Sequence, residues 1–288
     1  MNRPIFLLKT SLTALLCALL LSPMAVEATL KNQKKKPPRK KPGSGQQQSG
    51  QQNQQQPSQG EAPKPAEQAP PSQVFEADRR LWEYKTSEAR STLQPVAGQA
   101  DGNGYVAMAL GRVLEQEKKY GEAEAQLRKA TELSPSDPAA WVYLGEVYIR
   151  QRKNGEAEAA FRKAADLGST KAGGDAAYYR GVALQRLGQY DQAVATLSGA
   201  QGPEAGLVAY QIGFTRSFQE NWPAALEQLN RAIEENPRLA YAYYYRGLVH
   251  DKVGRKDLLV NDMEKFLALA PNAPEAERAK AALRAVKR

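Results

Sequence analysis

Between residues 104 and 273, small and apolar residues recur at the spacing of helix faces and alternate with short polar breaks. In each stretch, one stripe follows the i, i+3, i+4, i+7 spacing of an amphipathic helix. A second, shorter stripe follows after a turn. In the first copy the two stripes are Ala107, Leu110, Gly111 and Leu114, then Ala123, Leu127 and Ala130. The pattern therefore predicts pairs of helices joined by the polar breaks.

The same pattern repeats five times, and a glycine marks the equivalent point in each copy. These residues are Gly111, Gly145, Gly181, Gly213 and Gly247, and successive members lie about 34 residues apart. A small residue at this point lets the two helices of one copy cross closely. The large residue of the second helix is expected to fill the gap between copies. Such a period predicts a stack in which each copy packs only against its neighbours.

The second copy carries the most complete set of marker residues. They are Trp141, Leu144, Gly145 and Tyr148 in the first helix, and Ala157, Phe161 and Ala164 in the second. These residues resemble the tetratricopeptide repeat, whose pattern begins W-x2-L-G-x2-Y. The resemblance covers residues 104–273. It implies an all-α fold, an α-solenoid of five tandem helix-turn-helix repeats of about 34 residues with a C-terminal capping helix.

Four flanking segments complete the predicted organisation. Residues 1–28 are interpreted as a signal peptide, and residues 29–74 as a disordered tether that is first basic and then rich in Gln and Pro. Residues 75–103 are interpreted as a degenerate helical unit whose second helix is interrupted by Pro95. Residues 274–288 are predicted to form the capping helix, because the end of a solenoid needs a polar outer face.

The segment 1–28 has the composition of a secretory signal. Arg3 and Lys9 provide positive charge, residues 12–21 form an apolar run, and small residues around Ala28 offer a cleavage site. We therefore expect an exported protein, periplasmic or extracellular, which stays anchored to the membrane if the signal is not cleaved. Cys17, the only cysteine, lies inside this segment, so that the mature chain contains none.

Charge is concentrated in the tether. The chain has 40 Lys and Arg against 31 Asp and Glu, a formal charge of +9, but residues 75–288 hold 30 basic and 28 acidic residues. A basic nucleic-acid-binding domain is therefore disfavoured. The tether offers a contact to an anionic surface such as envelope polymer, lipid headgroups or nucleic acid, or it serves only as a solubilising tail. Its clustered basic residues are Lys31, Lys34, Lys35, Lys36, Arg39, Lys40 and Lys41.

The resemblance implies that the first helices of the repeats line a concave groove. Residues offset from the glycine stripe, Arg112 and Glu146 among them, are predicted to project into it. Because neighbouring tyrosines point to different sides of a helix, we expect part of the aromatic set to be exposed as binding anchors, with a core role as the less favoured alternative for any single ring. The predicted partner-binding residues are Tyr105, Met108, Val142, Tyr178, Val182, Tyr210, Phe214, Tyr241, Tyr244 and Leu248.

Residues for catalysis or metal binding are scarce. His250 is the only histidine and is assigned to the packing face of the fifth copy, so Cys/His metal sites and Cys–His nucleophile pairs are not available. We therefore expect no enzyme activity, cofactor or small-molecule substrate. The predicted function is a non-catalytic protein–protein interaction scaffold, in assembly of an envelope or secretion complex. The alternative is envelope-polymer or nucleic-acid binding through residues 31–41.

Overall fold

The computed structural model describes residues 69–170 and 175–286; the signal segment and nearly all of the tether, with its basic residues, lie outside the described residues. Within those ranges the chain forms thirteen α-helices and no strand. They are α1 (Ser72–Trp82), α2 (Thr86–Leu93), α3 (Gly104–Gln116), α4 (Tyr120–Leu133), α5 (Pro138–Arg150), α6 (Asn154–Thr170), α7 (Ala176–Arg186), α8 (Tyr190–Ser198), α9 (Leu207–Phe218), α10 (Trp222–Glu235), α11 (Ala240–Lys252), α12 (Lys256–Leu269) and α13 (Ala276–Val286). In the described ranges, no helix is long and apolar enough to cross a membrane.

The helices form six consecutive pairs, from α1 and α2 to α11 and α12, and α13 packs on α12. Each odd-numbered helix up to α11 also contacts the next odd-numbered helix. We call these six first helices the inner layer, and their partners, α2 to α12, the outer layer. The prediction of an all-α solenoid of tandem helix pairs with a C-terminal capping helix is confirmed. The first pair is the degenerate unit, in which Pro95 lies in a short 3-10 helix, Gln94–Gln99, directly after α2.

The marker glycines allow the two helices of a pair to cross closely. A Cβ atom at Gly145 would lie 2.6 Å from the ring of Phe161, and one at Gly213 would lie 2.7 Å from Cγ of Leu229 and 3.1 Å from a backbone oxygen of α10. The large residue of the second helix thus packs directly on the glycine of its own pair. The space that the missing Cβ leaves is filled inside the pair, and the expectation that the same residue fills the gap between pairs stays a prediction.

Two features depart from a regular repeat. Helix α1 begins at Ser72, inside the segment predicted as tether. Helix α8 has nine residues, whereas α4, α10 and α12 have 14 each. Residues 199–206 replace the missing turns and end at Gly206, which has a φ of 78° and whose N–H donates to Glu235 at 3.0 Å. A Cβ atom there would lie 2.6 Å from the carbonyl oxygen of Ala232. The third repeat is therefore irregular on its outer side.

The fifth repeat meets the degenerate unit, so that the inner layer closes on itself. The hydroxyls of Tyr84 and Tyr241 are 3.0 Å apart, although 157 residues separate them. Beside them, Nη1 of Arg238 lies 3.4 Å from Oε1 of Glu83. The loop after α1 thereby reaches the start of α11. The concave surface that the sequence predicts as a groove is consequently largely covered.

Candidate functional site

The inner layer surrounds a cavity of about 200 Å³. All six first helices, α1, α3, α5, α7, α9 and α11, contribute side chains to its wall, whereas Leu127 on α4 is the lining residue from the outer layer. The prediction that the first helices line the concave side therefore agrees with the structure. The wall is unusually aromatic: its rings are Trp82, Tyr84, Tyr143, Tyr178, Tyr179, Tyr210, Tyr241 and Tyr245.

Arg112 on α3 forms one side of the wall and is 7% exposed. Its guanidinium lies 4.3 Å from the ring centroid of Tyr143 and 4.9 Å from that of Trp82, and Nη1 is 2.6 Å from Oδ1 of Asp78 on α1. Burial lowers the pKa of Arg112, but the Asp78 carboxylate and the neighbouring tyrosines together outweigh burial, and the pKa is raised. The guanidinium is thus a fixed, charged part of the wall that joins α1, α3 and α5.

Two further arginines link neighbouring first helices. Nε of Arg186 on α7 donates to Oε1 of Glu146 on α5 at 2.5 Å. Nε of Arg150 donates to Oε1 of Glu115 on α3 at 3.2 Å, and its Nη1 lies 3.8 Å from Oε1 of Glu275. The ion pairs run around the cavity from one repeat to the next. They join neighbouring first helices beside the cavity, where apolar packing does not fill the space between the helices.

Burial shifts the pKa values of the other wall groups, and for Arg186 a neighbouring carboxylate opposes this shift. It raises the pKa of Glu115 despite the adjacent guanidinium of Arg150, and it raises the pKa values of Tyr143 and Tyr178. For Arg186, burial lowers the pKa, while the Glu146 carboxylate raises it and prevails. All of these shifts favour the protonated form of the group. The cavity is therefore an environment that disfavours additional negative charge.

Some polar atoms of the cavity wall have no hydrogen-bond partner among the described residues. The hydroxyls of Tyr143 and Tyr179 are 3.0 Å apart, and Nε2 of Gln211 donates to the Tyr178 hydroxyl at 3.5 Å. Within the described residues, Oε1 of Gln211 is buried without a hydrogen-bond partner, and the residue is only 6% exposed. A buried acceptor of this kind favours a bound molecule or water that donates to it.

The structure places the ten predicted binding residues in three groups. Five of them line the cavity: Val142, Tyr178, Val182, Tyr210 and Tyr241. Three, Met108, Phe214 and Tyr244, are packed in the core. The two remaining residues, Tyr105 and Leu248, are half-buried outside the cavity wall.

The expectation that the aromatic anchors are exposed is wrong. Tyr178 is 1% and Tyr244 2% exposed, and even neighbouring rings such as Tyr178 and Tyr179 are both buried. The physical reason is the closure of the inner layer, which covers the face that an open solenoid would leave in solvent. The predicted residues that are buried are Met108, Val142, Tyr178, Val182, Tyr210, Phe214 and Tyr244.

Sequence reasoning missed Tyr143, Arg150, Arg186 and Tyr245, which lie next to the predicted stripe or one turn beyond it. A signal for two of them exists in the repeat. Arg150 and Arg186 each follow the marker glycine of their helix by five positions. Charged residues at equivalent positions of two repeats indicate a shared polar environment, and here they face the same cavity.

His250 lies outside the cavity, between α11 and α12, and is 8% exposed. Its Nδ1 is 3.0 Å from Oδ2 of Asp262, and Nη2 of Arg246 donates to Oδ1 of the same carboxylate at 2.6 Å. Burial lowers the pKa of His250, and Asp262 opposes this effect without cancelling it. This polar cluster joins the last helix pair, which agrees with the assignment of His250 to a packing face.

The family model described as tetratricopeptide repeat matches this chain four times. The matched residues are 85–138, 108–172, 144–206 and 216–276. These ranges include the second half of the degenerate unit and most of the five predicted repeats, with a gap at residues 207–215 in the fourth. Curated proteins give no match to this chain.

Solved structures of repeat proteins are similar to this one. A tetratricopeptide repeat protein from Parabacteroides merdae has a TM-score of 0.52 at 14% identity, over 75% of this chain and 83% of that one. The human IFIT1 dimer with PPP-AAAA has a TM-score of 0.50 at 17% identity, over 64% of this chain and 46% of that one. YrrB, a repeat protein with an unusual peptide-binding site, has a TM-score of 0.37 at 22% identity, over 66% and 97%. At these identities the likeness concerns the fold.

Proposed function

Because this chain belongs to the tetratricopeptide repeat family, we propose that it is a non-catalytic scaffold that binds a segment of a partner protein. One observation carries the proposal: six first helices converge on a cavity whose wall combines aromatic rings, fixed ion pairs and an unsatisfied buried amide. A wall of this kind presents large contact area and hydrogen-bonding groups at fixed positions. Such a preformed site binds with little ordering cost to the scaffold.

The size of the cavity defines how the partner is bound. About 200 Å³ is more than ten times the volume that one water needs, but below the roughly 300–1,000 Å³ of drug-sized sites. An extended segment does not fit, whereas a single bulky side chain does. The partner therefore inserts one anchor residue into the cavity, and its flanking residues contact the rim. Interfaces commonly derive most of their affinity from a few such anchors.

The hydroxyls of Tyr210 and Tyr245 give a sharp test. Both rings line the cavity, and among the described residues neither hydroxyl forms a hydrogen bond to protein. A Tyr210→Phe/Tyr245→Phe variant therefore keeps the packing of the rings and removes only groups that a ligand contacts. Tyr190→Phe is the matched control, because this ring stacks on Phe218 outside the cavity.

Full-length chains are used to capture partners from an extract of the producing cells, with mass spectrometry as the readout and melting as the folding check. We expect the double variant to melt as the wild type does and to bind the captured partner about tenfold more weakly, from two lost hydrogen bonds. Tyr190→Phe retains full binding. Equal affinity of the double variant and the control would show that the partner does not enter the cavity.

We further propose that the protein is exported and acts in an envelope or secretion complex. The support is in the sequence: a signal-like segment with a cleavage site after Ala28, and a basic tether that follows it. N-terminal sequencing of the mature protein is expected to begin at Thr29. An N-terminus at Met1 in the membrane fraction would instead identify an uncleaved anchor.

The alternative function, binding of an envelope polymer or nucleic acid, rests on the seven basic residues between Lys31 and Lys41. Deletion of residues 31–41 separates the two functions. We expect partner capture by the cavity to be unaffected by the deletion. Loss of the captured protein together with the segment would favour the alternative.

A further inference from the structure

We propose that the anchor is a cationic side chain, an arginine or lysine of the partner segment, held at the end of the cavity formed by Glu115, Arg150 and Glu275. This inference rests on the proposed scaffold function and adds the chemistry of the bound group. It follows from the distribution of charge, aromatic rings and access around the wall.

The wall holds three arginines and three glutamates, but Arg112 is already paired with Asp78, which lies outside the lining. Arg112 is neutralised by Asp78 and Arg186 by Glu146, each through a single short ion pair. Arg150 is the remaining guanidinium, and it faces two carboxylates, at 3.2 Å from Glu115 and 3.8 Å from Glu275. The first and second pairs leave no net charge, so this end of the cavity carries one carboxylate in excess.

The ionisation of these groups favours a bound cation over a bound anion. Burial lowers the pKa of Arg150, but Glu115, Glu275, Glu146 and Tyr241 together outweigh burial and the pKa is raised. Burial raises the pKa of Glu115, and the guanidinium of Arg150 does not fully offset it. An additional cation beside Glu115 would stabilise its carboxylate, whereas an additional anion would be repelled by both acids.

Aromatic rings surround the same end. The hydroxyl of Tyr241 donates to Oε2 of Glu275. The ring centroid of Tyr241 lies 6.3 Å from that of Tyr245 and 5.6 Å from that of Tyr84. Ring faces attract cations. The wall already contains such a contact, since the guanidinium of Arg112 lies over two of its aromatic rings.

This end is also the accessible one. Among the residues that line the cavity, Arg150 is the most exposed, while Tyr178 and Gln211 are buried. A side chain that enters beside Arg150 meets the surplus carboxylate first and the aromatic wall next. A carboxylate anchor would have to displace Glu115, Glu146 or Glu275 from its guanidinium, and a neutral one would leave the excess charge uncompensated.

The test measures the binding of small peptides to the full-length chain by calorimetry. The probes are acetyl-Gly-Arg-Gly-amide and the same peptide with citrulline, which has the shape of arginine but no charge. We expect the arginine peptide to bind at least about tenfold more tightly. Agmatine, which carries the guanidinium without a peptide backbone, is expected to bind more weakly than the arginine peptide. Tighter binding of agmatine would identify a free small amine as the ligand and overturn the proposal.

Isosteric variants locate the site. Glu115→Gln and Glu275→Gln each are expected to weaken binding of the arginine peptide about tenfold, through one lost charged contact. Glu158→Gln is the control, because Glu158 forms a comparable ion pair with Arg162 on the exposed side of α6. If a variant fails to fold, the ratio of arginine to citrulline affinity in the wild type still decides the question.

The two proposals fail in different ways. Equal affinity for the arginine and citrulline peptides, or absence of binding by both at millimolar concentration, refutes the cationic anchor. If the Tyr210→Phe/Tyr245→Phe variant still loses its captured partner in that case, the scaffold function stands and only the chemistry of the anchor is wrong. If capture is unchanged as well, the cavity is not the binding site.

Discussion

The interior of the closed inner layer and the outer surface use the same residue types with different consequences. Arg186 and Glu146 in the cavity wall are 2.5 Å apart, with side chains 30% and 25% exposed. Arg162 and Glu158 on α6 are also 2.5 Å apart, but their side chains are 68% and 51% exposed. Distance alone does not distinguish the pairs. The two pairs are expected to contribute differently to the free energy of unfolding, because solvent screens the outer pair and protein surrounds the inner one.

Aromatic residues show the same contrast. Tyr178 in the cavity wall is 1% exposed and touches Tyr179 at a ring distance of 5.1 Å, whereas Phe75 on α1 is 63% exposed. Both belong to first helices. A ring on the side of the helix that faces the cavity is buried and stabilises the fold, whereas a ring on the opposite side is exposed to solvent. Four experiments test how strongly the two regions differ.

The largest effect is expected from truncation of a wall ring. Tyr178→Ala should lower the free energy of unfolding by about 3–5 kcal/mol, because it removes a fully buried ring and leaves a cavity. Phe75→Ala should change it by no more than about 0.5 kcal/mol. Denaturant unfolding of both variants checks this. A small effect of Tyr178→Ala would mean that the inner layer is open in solution.

Glycines provide the second test. Gly213→Ala forces a Cβ against Leu229 and the backbone of α10 and should cost about 1–3 kcal/mol. At Gly155, on the outer helix α6, nothing lies within 4 Å of the added Cβ, so alanine should stabilise by up to about 1 kcal/mol. Thermal melts compare the two. The prediction is wrong if the changes have the same sign.

The third test compares the two ion pairs. Arg186→Met leaves Glu146 unpaired in the cavity wall, and we expect a loss of about 1–3 kcal/mol in unfolding free energy. Arg162→Met on the outer surface should cost less than about 0.5 kcal/mol. Urea titrations at low and moderate salt provide the measurement. Equal losses from both variants would show that solvent enters the cavity freely.

The smallest effect concerns pH. Burial lowers the pKa of His250 below its ordinary value, which is about 6.5. The unfolded chain therefore takes up a proton at a pH at which the folded chain does not, and stability falls as the pH decreases from about 7 through 6.5. Melting of the wild type and of His250→Gln between pH 8 and 5 isolates this contribution from that of the carboxyl groups. A steeper pH dependence in the variant would contradict the sign.

Much of the local architecture could be predicted from the sequence. The five marker glycines with a large residue sixteen positions later, as in Gly145 and Phe161, specify a close helix crossing that recurs with each repeat. Such contacts lie within one helix pair, so they follow from periodicity and side-chain size. The assignment of the first helices to the concave side followed from the resemblance to the family.

The candidate site was predicted only in part. Tyr178, Tyr210 and Tyr241 were placed on the correct helices and line the cavity, but the burial of Tyr178 and Tyr210 was considered only as the alternative. Tyr143 and Tyr245 lie one residue from the predicted stripe. A helical wheel fixes the direction of a side chain only within the width of one residue, about 100°. It gives no information about which other part of the chain packs against that side chain.

By itself, the sequence determined the helix pairs, their order and the small and large residues at each crossing, because these depend on neighbours within a single repeat. Only the tertiary structure decided that Tyr84 meets Tyr241 and that the groove becomes a cavity. Each repeat is rotated slightly relative to the one before it, and these rotations add up along the solenoid. The degenerate first pair and the short α8 change the sum of these rotations. No local pattern encodes that sum, so the closure, and with it the chemistry of the cavity, depends on the whole chain.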